Sequence, residues 1–200
     1  MLEAIIYIFI FSAEILGEIN NFYGIIPHWD TTLHTINGFL AAGIGFSLID
    51  LLNQNSKKIK LSPIFVAIVA FCFSMTIGVA WEFFEYGVDK YLKFDMQKDQ
   101  IVSTISSVEL DPEKNNNSIV VKNIKETQII TEDGVIVING GYLDIGIIDT
   151  MKDLLVNFIG AVVFSIIGYF YIQNRGSYKF IEQFIPKKER KWTQNKNVKN

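Results

Sequence analysis

Two hundred residues, half of them hydrophobic, with a formal net charge of −3, bound one domain or one domain with an insert. The apolar residues are gathered into long runs, the composition of a membrane protein. The single cysteine, Cys72, excludes an intramolecular disulfide and a cysteine metal site, and inside its apolar run it reads as a small packing residue.

A hydrocarbon core takes about 20 mostly apolar residues as a helix, and four stretches qualify. The first, "LEAIIYIFIFSAEILGEI" at 2–19, is interrupted by Glu3, Glu14 and Glu18. It lacks the basic start and small-residue cleavage site of a secretory leader, so it reads as an uncleaved helix. The second, "TTLHTINGFLAAGIGFSLIDLL" at 31–52, carries Gly38, Gly43 and Gly45 with Ala41 and Ala42, which allow close helix packing. The third, 62–86, opens on Ser62 and Pro63, a cap and first-turn pair, and ends soon after Tyr86. The fourth, 148–173, has Asp149 as its expected N-cap.

Orientation follows from lysine and arginine in the short flanks. "NQNSKKIK" holds Lys57, Lys58 and Lys60 and no acid, and the tail after Asn174 is rich in lysine and arginine. Both regions are expected in the cytoplasm, with both termini inside and the segments 20–30 and 87–147 outside. The polar stretch 93–144 breaks the composition. Within it "ETQIITEDGVIVING" reads as a β-hairpin around Asp133-Gly134, and "DPEKNNNS" as a loop. The predicted fold is therefore an all-α membrane protein, a bundle of about four transmembrane helices with an extracytoplasmic polar insert. Its parts are 1–92 (spans one to three), the insert 93–144, 145–174 (span four) and a basic cytoplasmic tail 175–200. The expected partner is the lipid bilayer; the insert reads as a modest cap over the helices or a loop, the alternative being a surface that binds a protein partner. No nucleic acid is expected, because no recognition fold accompanies the basic tail.

This topology brings scattered polar residues to one membrane level. His28, Asp30 and His34 start the second span, Trp81, Glu82 and Glu85 end the third, and Asp149, Lys152, Asp153 and Asn157 start the fourth. Asp149, Asp153 and Asn157 form an i, i+4, i+8 stripe that suits a bundle interior. One reading is capping and interfacial decoration. The other is a shared site, in which crowded carboxylates either retain protons or are neutralised by a cation. The expected metal ligands are His34, Glu82, Glu85, Asp149 and Asp153, with His28, Asp30, Trp81, Lys152 and Asn157 around them. This hard, oxygen-rich set suits Mg, Mn, Fe or Zn.

Three of these motifs resemble the YjdF-like family of small bacterial inner-membrane proteins: "HWDTTLHTINGF", "WEFFEY" and "IDTMKDLLVNFIGA". The resemblance implies a multi-pass bacterial inner-membrane protein with a shared polar cluster, and it implies no activity. The long link between the last two spans departs from that family's pattern. Two function classes follow. One is a cation-dependent hydrolase or transferase acting on lipid or envelope substrates. The other is a non-enzymatic membrane component, a cation or proton relay or a partner-binding subunit, that uses the cluster structurally. No residue is identifiable as catalytic from the sequence.

Overall fold

The computed structural model describes residues 2–56 and 60–174. Lys57, Lys58 and the tail from Arg175, which carry much of the orientation argument, lie outside the described residues. The chain opens with α1 (Leu2–Ile10), which continues as a π-helical stretch, Phe11–Ile19. A short α2 (Phe22–Ile25) leads into α3 (Trp29–Asn55), α4 (Pro63–Leu92) and finally α5 (Ile147–Gln173). Helices α3, α4 and α5 are each long and apolar enough to cross a membrane. At about 1.5 Å per residue each exceeds the roughly 30 Å hydrocarbon thickness.

Small residues let these three helices approach. The Phe164 ring packs where a side chain on Gly43 would stand, and Phe46 packs against Gly168 in the same way. Ala42, Phe46, Val66, Ala70, Ala161, Phe164 and Tyr171 form the buried apolar centre. In lipid such contacts are driven by packing, because no hydrophobic gain attends helix association. Cys72 is exposed on the bundle surface, so the packing role expected for it does not hold. At the α3–α4 turn, Asn53 bridges Leu61 through both its amide groups, and Lys60 Nζ donates to the Asn53 carbonyl at the end of α3.

Helix ends follow local chemistry. Ser62 caps α4, accepting from Phe65 N at 3.4 Å, and Pro63 occupies the first turn. Where the sequence places the end of this helix near Tyr86, the structure carries it on to Leu92. "GVDKYL" contains no strong breaker, and the chain turns only at Lys93, whose φ is +61°. Asp89 then holds the turn by accepting from Met96 N (2.6 Å) and Gln97 N (2.8 Å). Nor is Asp149 the cap of α5. That position is Gly146, at φ +77°, a conformation that glycine adopts without strain. Asp144, two residues before it, accepts from Ile148 N and from Gln100 N. Partial desolvation pushes the Asp144 carboxyl up, but these backbone donors outweigh it and hold it below the usual carboxylate range.

Between α4 and α5 the chain forms three two-stranded antiparallel pairs. Strands β1 (Ile101–Val102) and β6 (Tyr142–Leu143) close a neck. Beyond it β2 (Ile105–Ser107) pairs with β3 (Ile119–Val121). The expected hairpin is β4 (Glu126–Thr131) with β5 (Gly134–Asn139), joined by Glu132 and Asp133. The "DPEKNNNS" loop winds around Asp111, whose carboxylate accepts from the backbone N–H groups of Glu113, Asn115 and Asn117.

Candidate functional site

α4 and α5 are antiparallel, so residues at the end of one meet those at the start of the other. Gly78 faces Asn157, and Glu82, one turn further along α4, comes to Thr150 and Asp149 on α5. α3 runs parallel to α5, with Gly38 against the Asn157 backbone and Gly160 against Thr35 and Phe39. The three helices therefore present Asp30 and His34, Glu82 and Glu85, and Asp149 and Asp153 at one end of the bundle.

The centre of the cluster is Asp30, His34 and Asp153. One ligand atom from each lies within 4.8 Å of the others. His34 Nε2 is 3.5 Å from Asp30 Oδ1, and His34 Nδ1 is 3.9 Å from Glu82 Oε1. The imidazole is thus bracketed by carboxylates from two helices. Asp153 and Glu82 are 2% and 4% exposed. Each has one buried carboxylate oxygen, Asp153 Oδ1 and Glu82 Oε2, with no hydrogen-bond donor, and Asn157 Oδ1 just below is in the same condition. Three buried acceptors without donors call for a cation, a proton or a water, since a buried polar atom left unpaired is costly.

The remaining expected residues sit around this centre in different ways. Glu85 is buried, but its Oε1 accepts from Trp81 Nε1 at 2.8 Å, which turns it along its own helix. Asp149 Oδ2 accepts from Lys98 N at 2.9 Å. Asn157 donates to Met75 Sδ at 3.6 Å. Lys152 is half-buried beside the acids, and His28 is exposed at the α3 N-cap with φ +63°. Because α4 continues to Leu92, Glu82 and Glu85 are not in its last turn, and the unfavourable helix-end dipole is not what acts on them.

Two features were not anticipated from the sequence. Asp30, expected at the periphery, lies in the innermost group. The segment 96–100 forms a strap over the start of α5. Its Gln97 side chain donates to Thr150 Oγ1 at 2.5 Å, Lys98 N reaches Asp149, and Gly146 leaves room for Gln97 to cross. On the other flank, burial and the Asp30, Glu18, Glu14 and Glu85 carboxylates push the Tyr23 hydroxyl above the usual phenol range. Its ring packs on Gly17 of the π-helical stretch, so the first helix touches the site's edge. Below Asn157 the bundle becomes mainly apolar, with Ser47, Ser74 and Ser165 as buried polar exceptions. Ser74 donates to the Gly38 carbonyl at 2.7 Å, and the next layer is Ala42, Phe46, Ala70, Ala161 and Phe164.

No curated protein and no solved structure matches this chain. A family model described as "Predicted membrane protein (DUF2238)" matches residues 1–174, which include all three polar motifs and every helix among the described residues. With its three apolar helices and its His/carboxylate cluster, the chain belongs to the DUF2238 family of predicted membrane proteins.

Proposed function

We propose that this chain is a multi-pass protein of the bacterial inner membrane whose working part is a cation-dependent site at the outer end of the bundle, serving hydrolysis or group transfer on lipid or envelope substrates. The observation that carries the reading is the Asp30, His34 and Asp153 group, with the donor-less Asp153 Oδ1 buried among them. In this reading His34 turns Nε2 to the cation, with Glu82 Oε1 standing 3.9 Å behind Nδ1, where a small closure would give the carboxylate-behind-histidine arrangement that orients metal ligands. Glu85 and Asp149 complete the acidic surroundings. The oxygen-rich set fits Mg, Mn, Fe or Zn. A bound cation would polarise an oxygen of the substrate or activate a water, and Glu82 is placed to take a proton.

Residues 2–19 act as a fourth span, both termini face the cytoplasm, and 93–144 is an extracytoplasmic insert that can dock a protein partner. The lysine-rich loop and tail support this orientation. Against the non-enzymatic alternative, a proton or cation relay, stand the apolar residues Ala42, Phe46, Ala70, Ala161 and Phe164 at the bundle centre; Ser47 and Ser165, buried next to Phe46 and Phe164 in sequence, are the polar groups such a relay would use.

The test is the metal content of the purified full chain. Wild type should retain a divalent cation when equilibrated with Mn or Zn. Asp153→Asn and His34→Gln should each weaken retention at least about tenfold, the lower end for disturbing even an outer-shell partner. No cation bound by wild type among Mg, Mn, Fe and Zn would overturn the proposal. Retention without turnover of any lipid substrate would favour the non-enzymatic alternative.

A further inference from the structure

Lys152 stands among the acids of this cluster without pairing to any of them. It lies near enough to His34, Asp149 and Asp153 for its charge to act on each. The residue is half-buried while its ammonium is not a buried unpaired group, so the stem packs in the bundle and Nζ reaches solvent, where a ligand can meet it. Yet among the described residues it makes no ion pair and no hydrogen bond: His34 and Asp30 pair with each other, and Lys98 is the lysine that pairs with Asp95. Asp149, three residues back on the same helix, has its Oδ2 taken by Lys98 N from the strap. A lysine in this position has donors to spare.

An acceptor beside it has the opposite need. Asp153 Oδ1 is buried without a donor and belongs to the Asp30, His34 and Asp153 group. A divalent cation there would satisfy Asp153 Oδ1 and would leave coordination positions open, since only three protein ligands converge. A ligand that can use both an open position on a cation and a lysine ammonium is an oxygen anion with several oxygens. Phosphate groups have this form, and lysine binds them as a compact point charge.

We propose that Lys152, together with the cation held by Asp30, His34 and Asp153, binds the phosphate group of an anionic ligand. This inference rests on the cation site proposed above. Lys152 then recognises the ligand, one oxygen of which the cation holds, and is not a mere counter-charge to the acids. The two roles differ in what they predict. As a counter-charge only, Lys152 would weaken cation binding, and its removal would tighten it with no effect on phosphate.

The experiment uses the full chain in phosphatidylcholine nanodiscs with Mn2+, whose occupancy is read by electron paramagnetic resonance. In one arm inorganic phosphate is added to the solution. In the other, phosphatidic acid is included in the nanodisc. In both, the thermal midpoint and the broadening of the phosphorus NMR signal by protein-bound Mn2+ are followed. Wild type should show a Mn2+-dependent rise in midpoint and broadening beyond that from free Mn2+ in at least one arm, and the arm identifies a free or a lipid-borne phosphate. Lys152→Gln should weaken the apparent phosphate affinity about tenfold or more, as loss of one charge-assisted contact implies. It should leave Mn2+ occupancy undiminished, and Lys152→Arg should restore binding. Full Mn2+ occupancy with no phosphate response in either arm overturns the phosphate proposal and leaves the cation site standing. So does a Lys152→Gln response equal to wild type. Absence of Mn2+ from wild type overturns both. Should Lys152→Gln not fold, the wild-type broadening decides alone, and its absence in both arms overturns the proposal.

Discussion

Substituting Gly38 by alanine probes the contact that brings the two halves of the cluster together. A Cβ on Gly38 would stand 2.8 Å from the Asn157 carbonyl carbon and closer still to its oxygen. These are backbone atoms of α5, so no rotamer change relieves them. The oxygen, at 2.1 Å, sets the displacement: restoring an ordinary carbon–oxygen separation of roughly 3.3 Å requires α3 and α5 to part by about 1.2 Å. Overpacking of this kind costs typically about 1–3 kcal/mol. The separation also carries Asp30 and His34 on α3 away from Asp153 on α5, and a shift of that size exceeds the roughly 0.5 Å within which a preorganised site works. Gly38→Ala should therefore lower the thermal midpoint and, measured well below that midpoint, retain divalent cation about tenfold or more weakly. Gly87→Ala is the control. Nothing lies within 4 Å of the added methyl, so helix propensity alone should act, stabilising by up to about 1 kcal/mol. The pair is measured by thermal unfolding in detergent and by cation titration. A Gly38→Ala protein matching wild type in both would refute the close α3–α5 packing and the convergence that depends on it.

Two other outcomes test the parts around the bundle. Replacing 104–140 by a tight Asn-Gly turn should leave the thermal midpoint of the helices within a few degrees of wild type, because only the β1–β6 neck joins this piece to the rest. Extending the deletion through Gln97 and Lys98 should lower it further and weaken cation retention, since Asp149 and Thr150 lose their strap donors; equal effects of the two deletions would show the strap to be inert. For orientation, in a Cys72→Ala background, an impermeant thiol reagent on intact cells should label a cysteine at Ser118 and spare one at Ser56. The reverse pattern would invert the proposed topology.

The three apolar helices were readable because each is a long run bounded by polar residues, and the Ser62-Pro63 pair marks its helix start by chemistry local to two residues. The β4–β5 hairpin was readable for the same reason, with β-branched runs flanking a short polar turn. What could not be read depends on contacts distant in sequence. The inward position of Asp30 is set by where α3 meets α5, and the strap rests on a bond between Lys98 and Asp149, fifty-one residues apart. The end of α4 was misplaced because aromatic and acidic residues at 81–86 look like a membrane boundary, whereas the helix itself is stopped by Asp89 capturing the chain beyond it. The π winding of 11–19 has no local signature in the sequence. One signal for the site was present from the start, the four-residue spacing of Asp30 and His34, which places both on one helix face.

The apolar layer of Ala42, Phe46, Ala70, Ala161 and Phe164 has an electrical consequence. A charge that crosses the whole bilayer gains or loses about 2.3 kcal/mol per 100 mV. In a bundle with polar groups towards its ends and mostly rings and methyls in the middle, most of that voltage falls across the middle. An ion bound at the proposed site from the Asp30 side would stop above it, and so would traverse only a small fraction of the field. Its affinity should then be nearly the same in an energised cell and in a depolarised one, leaving the site to respond to chemistry on its own side of the membrane and not to the membrane potential.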